Sequence, residues 1–299
     1  MILVIGEILF DIFEKERRLG GAPFNFAYHL KNFGFPVCYI SRVGNDAHGK
    51  EILNILVRHH FSTDDIQIDD RHDTGTVIVQ LNSSGNPTFH INTDVAYDYI
   101  NYLPEEHSTF VNMADFIYFG TLVQRSKRGF DNLQKFLKNR RPDSICFYDI
   151  NLRPNCYSDK VVLTSLENAD ILKLNLQELD ECKRIFGFSK DNDALIQFLM
   201  GQYRLKIVAI TKGDKGSELY TKDGHFHAST NHVSSIVDTV GAGDAYSSML
   251  AVGIINGWIP SRMLSMASMF ASRICGIRGA IPESRKFYEP IKKMIENGE

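Results

Sequence analysis

The chain has 299 residues, of which 43% are hydrophobic and 23% charged, and it carries a formal net charge of -3. This balance excludes a disordered polypeptide. Lysines and arginines are interspersed with acidic residues and form no basic stripe, so a nucleic-acid partner is not expected. The length allows either one elaborated domain or two compact ones.

Cysteine usage and hydropathy indicate the compartment. The five cysteines are scattered and contain no C-x-x-C pair, which predicts reduced thiols in a cytoplasmic protein. The apolar run at residues 2–5 is soon interrupted by Glu7 and Asp11, so it predicts a buried strand and not a signal peptide. No stretch approaches the roughly 18 uninterrupted apolar residues of a membrane helix, and no membrane association is expected.

Short apolar runs alternate with segments of helical period, which is the pattern of parallel strands joined by crossover helices. Each run ends in a polar residue or a glycine, and ligands of open α/β sheets bind beyond the carboxyl ends of the strands. The predicted strands are 2–6, 116–120, 145–149, 171–175 and 207–211. The predicted helices are 25–33, 48–60, 127–138, 178–186, 194–202 and 243–256. The sequence therefore predicts a doubly wound, mostly parallel α/β sheet sandwiched by helices.

One region, residues 74–92, departs from this rhythm. Apolar and polar side chains alternate on both sides of a turn-rich loop at 82–87, which predicts a β-hairpin. We expect the hairpin to belong to a small β lid, and a decorative hairpin is the alternative. The predicted division is a lid of residues 12–20 and 73–96, and an α/β core that binds nucleotide and sugar, formed by residues 1–11, 21–72 and 97–299.

Residues 237–246 read VDTVGAGDAY and run directly into an apolar helix. Gly241 and Gly243 permit a tight turn in which successive amides point the same way at a helix N-terminus, an arrangement that binds anions such as phosphate. Asp244 opens the helix, where the dipole favours its ionised form. A carboxylate beside an anion site has the two properties that phosphoryl transfer requires, alignment and charge stabilisation. An N-capping aspartate after a glycine turn is the alternative.

Residues 20–27 read GGAPFNFA and place a glycine pair ahead of a second helix. Gly20 and Gly21 permit a ligand to come close to the backbone. Asn25 near the start of the helix, and Asp11 after the first strand, can select its hydroxyl groups by hydrogen bonding. These residues form a candidate sugar site, and the alternative is a turn, a cap and a surface acid.

Together, in this order, the two glycine-containing segments resemble the two signatures of the PfkB or ribokinase-like family of carbohydrate kinases. The resemblance spans nearly the whole chain, and the hairpin falls where the family has its lid. Further segments resemble the G-x-D-x-x-G stretch, the N-x-x-E magnesium motif, the T-x-G-x-x-G nucleotide loop and the small-residue turn of the family. They are GNDAHG at 44–49, NLQE at 175–178, TKGDKG at 211–216 and GA at 279–280.

The resemblance implies an ATP-dependent kinase with a small-molecule sugar as its acceptor. In such an enzyme Asp244 would deprotonate the acceptor hydroxyl. The residues implied to form the anion hole are Gly241, Ala242 and Gly243. The residues implied to hold the sugar are Asp11, Gly20, Gly21 and Asn25.

Cofactor sites are implied in the same way. Glu178 and Asn175 would organise hydrated Mg²⁺, an ion that keeps several waters beside substrate phosphates, and an ordinary cap and helix turn is the alternative. The residues that resemble the nucleotide-binding set are Asn175, Thr211, Gly213 and Gly216. Asp238 and Val240 resemble the residues whose backbone carbonyls bind a monovalent cation such as K⁺ in many members.

Fructose is the expected acceptor. Both the GGAPFN segment and the segment 149–153, DINLR, followed by Tyr157, resemble the fructokinase branch. Arg153 could clamp a phosphate or substrate oxygen with two hydrogen bonds, and a surface salt bridge is the alternative. Two departures leave specificity open: the segment between Asp11 and Gly20 is short, and Tyr157 stands where some branches have tryptophan.

The sequence thus predicts transfer of the γ-phosphoryl of ATP to a primary hydroxyl, converting fructose to fructose 6-phosphate. Alternatives are a kinase for ribose, 2-keto-3-deoxygluconate or an adenosine-like nucleoside, and a relative that binds ligands without turnover. A dinucleotide-dependent oxidoreductase is disfavoured because Tyr246 replaces the third glycine of its motif. An exposed edge of the lid hairpin would allow a homodimer.

Overall fold

The computed structural model describes residues 1–81, 87–229 and 236–297. The chain divides into two compact units. The first comprises Met1–Phe24 and Val37–Ser144, and the second comprises Asn25–Pro36 and the chain from Ile145 onward.

The first unit has two sheets. Its strands are β1 (Ile2–Ile5), β2 (Leu9–Ile12), β3 (Arg17–Gly20), β4 (Val37–Gly44), β5 (Ile66–Asp69), β6 (Thr76–Leu81), β7 (Pro87–Ile91) and β8 (Phe116–Gly120). Helix α1 (Ala22–Phe33) begins in this unit, and α2 (Ala47–Arg58), α3 (Pro104–Met113) and α4 (Lys127–Lys138) lie within it. The strands β8, β1, β4 and β5 are adjacent in that order and all parallel. Every residue of β1 and β8 is buried, as expected for parallel strands covered on both faces.

The second sheet of the first unit has the order β3-β2-β6-β7. β2 pairs with β3 antiparallel and with β6 parallel, and β6 and β7 form the predicted antiparallel hairpin. Of the predicted loop at 82–87, residues 82–86 lie outside the described residues, and residue 87 is the first of β7. A small sheet separate from the parallel one is therefore present, and its action as a lid stays a prediction.

The second unit contains one sheet. Its strands are β9 (Ile145–Asp149), β10 (Ile171–Asn175), β11 (Ile207–Thr211), β12 (Ser217–Thr221) and β13 (Gly224–Ala228). Its helices are α5 (Asp159–Asn168), α6 (Leu176–Phe186), α7 (Asn192–Tyr203), α8 (Ala242–Ile255), α9 (Pro260–Cys275) and α10 (Glu289–Glu296). β9, β10 and β11 are parallel, and β12 and β13 continue the sheet antiparallel.

The predicted fold class is confirmed: the protein is α/β, with mostly parallel main strands, crossover helices and a separate small β-sheet. The parallel strands β9, β10 and β11 end in Asp149, Asn175 and Thr211, which places these polar residues at one edge of the sheet. Within the described ranges, no helix combines enough length and apolar character to cross a membrane.

Candidate active site

The turn before α8 is held in place from two sides. Gly241 has a φ of 78°, in the left-handed region, and a Cβ there would lie 2.3 Å from the Cβ of Ala280. Asp238 accepts hydrogen bonds from the amides of Val240 and Gly279, each at 3.0 Å. The carboxylate of Asp238 thus ties the α8 turn to the small-residue turn at Gly279-Ala280. Binding of a monovalent cation by the carbonyls of Asp238 and Val240 stays a prediction.

Helix α8 begins at Ala242, so Gly243 and Asp244 lie in its first turn. The amides of a first helical turn have no carbonyl partner within the helix, and the dipole makes this end electropositive. The amide of Ala242 donates to the carbonyl oxygen of Thr239 at 3.3 Å. An anion hole formed by Gly241, Ala242 and Gly243 stays a prediction, which the position of these residues at a helix N-terminus favours.

Asn25 and Asp244 are separated by 219 residues, yet the side-chain amide of Asn25 donates a 2.7 Å hydrogen bond to the carboxylate of Asp244. Asn25 is only 4% exposed, and its Oδ1 has no hydrogen-bond partner among the described residues. Buried polar atoms are nearly always paired. An unpaired acceptor beside a carboxylate fits a ligand that brings a hydroxyl donor, and that is the chemistry required of a sugar site.

The environment of Asp244 changes its ionisation. Burial raises the pKa of Asp244 to about 6, against the lowering effect of the Asn25 hydrogen bond. Asp149 raises it further, while Lys173 and Arg153 lower it. A carboxylate with this pKa is mostly ionised at pH 7 and is a better proton acceptor than an ordinary aspartate.

This pKa predicts a pH-dependent effect on stability. The folded-state pKa of Asp244, about 6, lies above the ordinary value of 3.8, so its contribution to stability is complete below about pH 4 and is lost as pH rises through 6. Asp244→Asn cannot ionise, so its advantage over wild type in free energy of unfolding is expected to be about 2 to 3 kcal/mol larger at pH 8 than at pH 4. Urea denaturation at pH 8 and pH 4 measures this gain. An equal gain at both pH values would refute the assignment.

A buried charge pair lies beside the start of α8. Lys173 and Asp149 are direct neighbours in the register of β10 and β9, and the Lys173 ammonium donates to Asp149 Oδ1 at 3.1 Å. Ser247 donates to the other oxygen at 2.7 Å. The side chains of Lys173 and Asp149 are 7% and 0% exposed. Burial alone would lower the pKa of Lys173, but Asp149, Glu178 and Asp244 together raise it, so the group stays charged.

Glu178 and Asn175 form a capping box at the start of α6, as in the alternative interpretation of this motif. Glu178 Oε2 accepts from the Asn175 amide at 2.7 Å, and Oε1 accepts from the amide of Leu152 at 3.0 Å. Burial raises the pKa of Glu178. The carboxylate therefore holds the loop that carries Arg153, and each of its oxygens retains a further lone pair.

That donor set fits water-mediated Mg²⁺, because hard oxygen atoms suit this ion and it retains most of its own waters. In the described residues there is no group of three or more His, Cys, Asp or Glu side chains that could hold a metal directly. An ion held through water and by nucleotide phosphates needs no such cluster.

Thr211, Gly213 and Gly216 form the turn that joins β11 to β12. Gly216 has a φ of 91°, and a Cβ there would lie 2.1 Å from the carbonyl oxygen of Ala228. Gly213 also has a positive φ, of 61°, but nothing lies within 4 Å of its Cβ position. Gly216 is thus required by packing, whereas the space at Gly213 is open. Nucleotide binding by this turn stays a prediction.

The remaining predicted sugar ligands lie in the first unit. Asp11 is part of β2, and a Cβ at Gly20 would lie 2.9 Å from Asp11 Oδ2, so the glycine permits this close approach. Gly21 has a φ of 109°, and a Cβ there would lie 2.5 Å from the carbonyl oxygen of Glu7. Gly20 therefore leaves room for the Asp11 side chain, and Gly21 leaves room for the backbone at Glu7.

Two further motifs have local structural partners. Asp46 of the GNDAHG segment caps α2 through the amide of Gly49 and also accepts from the amide and hydroxyl of Thr74. Tyr157 donates to Glu181 at 2.7 Å. Arg153 is exposed, but its charge reaches Asp244, whose pKa it lowers.

Lys173 was not among the predicted site residues, although Asp149 was noted as part of the DINLR segment. The signal for it was a single lysine inside the run ILKLN, whose other residues are apolar up to the strand end. A lysine in a buried parallel strand requires a paired acid, and here that acid lies on the neighbouring strand.

Comparison with known proteins gives a consistent picture. A family model described as pfkB family carbohydrate kinase matches residues 6–286. The uncharacterized sugar kinase PH1459 of Pyrococcus horikoshii is 29% identical over 305 residues, covering 96% of this chain and 93% of that protein. A 5-dehydro-2-deoxygluconokinase of Bacillus anthracis is 26% identical over 254 residues, covering 82% and 76%. A fructokinase of Salmonella typhimurium is 25% identical over 284 residues, covering 92% and 91%.

Solved structures share the fold. The crystal structure of PH1459 has a TM-score of 0.75 at 28% identity and covers 93% of each chain. The structure of a fructokinase with bound ATP from Xylella fastidiosa has a TM-score of 0.84 at 20% identity, covering 100% of this chain and 99% of that one. At that identity the likeness concerns the fold.

Proposed function

The chain belongs to the pfkB family of carbohydrate kinases, and from that premise we propose that it transfers the γ-phosphoryl group of ATP to a primary hydroxyl of a sugar, with fructose as the acceptor. The observation that carries this proposal is the hydrogen bond between Asn25, on α1, and Asp244, in the first turn of α8. It joins the two glycine-containing segments of the sequence through one 2.7 Å hydrogen bond.

In the proposed reaction Asp244 accepts the proton of the acceptor hydroxyl. The hydroxyl oxygen forms a bond to the γ-phosphorus while the bond between that phosphorus and the bridging oxygen breaks, which releases ADP. The amide of Gly243 stabilises the charge on the phosphoryl oxygens, and the amide of Ala242 joins it on releasing its 3.3 Å bond to the Thr239 carbonyl. Such an electrostatic contribution is large where water is excluded. Asp244 has a pKa of about 6 and is mostly ionised at neutral pH, so the base is ready before the acceptor binds.

Asn25 orients the base and contacts the acceptor. Its amide group donates to Asp244, and its unpaired Oδ1 accepts a hydrogen bond from a sugar hydroxyl. Asp11, Gly20, Gly21 and Arg153 complete the proposed acceptor site. For Asp11 and Gly20, support comes from the close approach of the Gly20 backbone to the Asp11 carboxylate.

Mg²⁺ bound with ATP would neutralise phosphate charge and help to align the γ-phosphoryl group. Glu178 and Asn175 provide oxygen atoms for its water shell, and Thr211, Gly213 and Gly216 lie beneath the nucleotide in this proposal. The proposal also includes a K⁺ site formed by the backbone carbonyls of Asp238 and Val240. It further includes a cytoplasmic location and a homodimer formed through the small sheet.

The identity of the acceptor is the most specific part of the proposal. Relatives of similar sequence identity are named for two different acceptors, fructose and 5-dehydro-2-deoxygluconate. Fructose is expected to give a higher kcat/KM than ribose, 2-keto-3-deoxygluconate, 5-dehydro-2-deoxygluconate or adenosine. A coupled ADP-release assay over this panel with Mg²⁺ and ATP measures the order. A kcat/KM tenfold higher for a sugar acid than for fructose would overturn fructose as the acceptor and leave the kinase assignment intact.

A further inference from the structure

The side chain of Lys173 lies beside the first turn of α8. A Cβ added to Gly243 would be 3.2 Å from the Lys173 ammonium nitrogen, so this cation occupies the space next to the residue that precedes Asp244. The parallel register of β9 and β10 fixes its position, since Lys173 and Asp149 are opposite each other. The cation is thus a permanent feature of the site and not a mobile surface group.

Charged groups from several elements surround Lys173. Asp149 at the end of β9, Glu178 on α6 and Asp244 itself are carboxylates, and Lys173 on β10 is the buried cation among them. Arg153 in the loop after β9 is an exposed cation. Carboxylates that share a site raise one another's affinity for protons unless an opposite charge compensates them.

We propose that Lys173 is a positioning residue for the base: its ammonium, held beside Gly243 by Asp149, fixes the first turn of α8 that carries Asp244 and offsets part of the negative charge around it. Asp149 has the opposite direct effect on Asp244, but it holds the cation in place. Ser247 on α8 secures the same carboxylate from the helix side. The pair therefore joins the edge of the sheet to the helix that carries the base.

This role predicts shifts of opposite sign for the two partners. Lys173→Met removes the compensating cation and leaves the Asp149 charge, so the pKa of Asp244 is expected to rise, on the order of one unit. Asp149→Asn removes a neighbouring anion and leaves the cation, so that pKa is expected to fall. A purely structural pair would lose stability in both variants without opposite shifts.

The inference rests on the proposed function but can be tested without turnover. Carboxyl carbon NMR of aspartate-labelled protein measures the titration midpoint of Asp244, whose signal is assigned by its loss in Asp244→Asn. The acid limb of kcat/KM against pH is the second readout and is expected to move with the midpoint. If the wild type titrates as expected but transfers no phosphoryl group, the proposed function fails, while the electrostatic effect of Lys173 on Asp244 stands.

An unpaired buried charge is strongly destabilising, so the double variant Lys173→Met/Asp149→Asn is the second probe and leaves neither charge unpaired. On the Asp149→Asn background, the added Lys173→Met change is expected to raise the midpoint. The matched control is the exposed i,i+4 pair of Lys127 and Asp131, where Lys127→Met and Asp131→Asn should leave midpoint and activity unchanged. Midpoints that do not move, or that move in the same direction for both partners, would overturn the inference.

Discussion

Replacing Asp244 with asparagine is expected to lower kcat by on the order of 10² to 10⁴-fold while leaving ATP affinity nearly unchanged. Asparagine retains the size of the side chain and can still contact Asn25, but it cannot accept the proton of the acceptor hydroxyl. The amides of the first turn of α8 belong to the main chain and remain. Single-turnover kinetics measure the chemical step, and calorimetry with a nonhydrolysable ATP analogue measures binding.

The control for Asp244→Asn is the same change at Asp180, an exposed residue of α6. Asp180→Asn should retain wild-type kcat and affinity. Near-normal turnover by Asp244→Asn would contradict its role as base. A wild type that binds ATP and sugar saturably without releasing ADP, with binding unaltered in Asp244→Asn, would support a binding protein.

The parallel strands were the part of the fold that the sequence predicted best. The strands at 116–120, 145–149, 171–175 and 207–211 coincide with the observed β8, β9, β10 and β11. Such strands are buried on both faces and read as continuous apolar runs, so local sequence identifies them. The strand β2 was harder to predict, because Leu9–Ile12 follows β1 closely and its partners β3 and β6 are set by tertiary structure.

The contacts within the site could not be derived from local pattern. Asn25 and Asp244 lie 219 residues apart, and only the family resemblance placed them in one site. Lys173 was missed for a related reason: its partner Asp149 is 24 residues away, and only the register of two strands brings them together. For Glu178, both the motif and the capping alternative were recognised, and the capping box is present. A helix cap and a water-mediated ion site use different lone pairs of the same carboxylate, so sequence alone does not separate them.

Gly241→Ala is expected to lower kcat/KM by on the order of 10² to 10³-fold, the effect of losing a donor from an anion hole. The new Cβ would lie 2.3 Å from the Cβ and 2.6 Å from the Cα of Ala280, so the turn must move. Because the amides of Ala242 and Gly243 follow this turn directly, they move with it. Steady-state kinetics measure the loss, and thermal denaturation reports whether the variant is folded.

Gly187→Ala is the matched control for backbone strain. Gly187 also has a left-handed conformation, with a φ of 59°, but nothing lies within 4 Å of its Cβ position. Both substitutions carry the left-handed penalty of about 1 kcal/mol, and only Gly241→Ala adds the collision with Ala280. Adding Ala280→Gly to Gly241→Ala removes the contact between the two Cβ atoms but leaves the 2.6 Å approach to the Cα of residue 280, so activity should stay low. Equal activity of Gly187→Ala and Gly241→Ala would show that the turn is free to move, and the anion hole would then have to lie elsewhere.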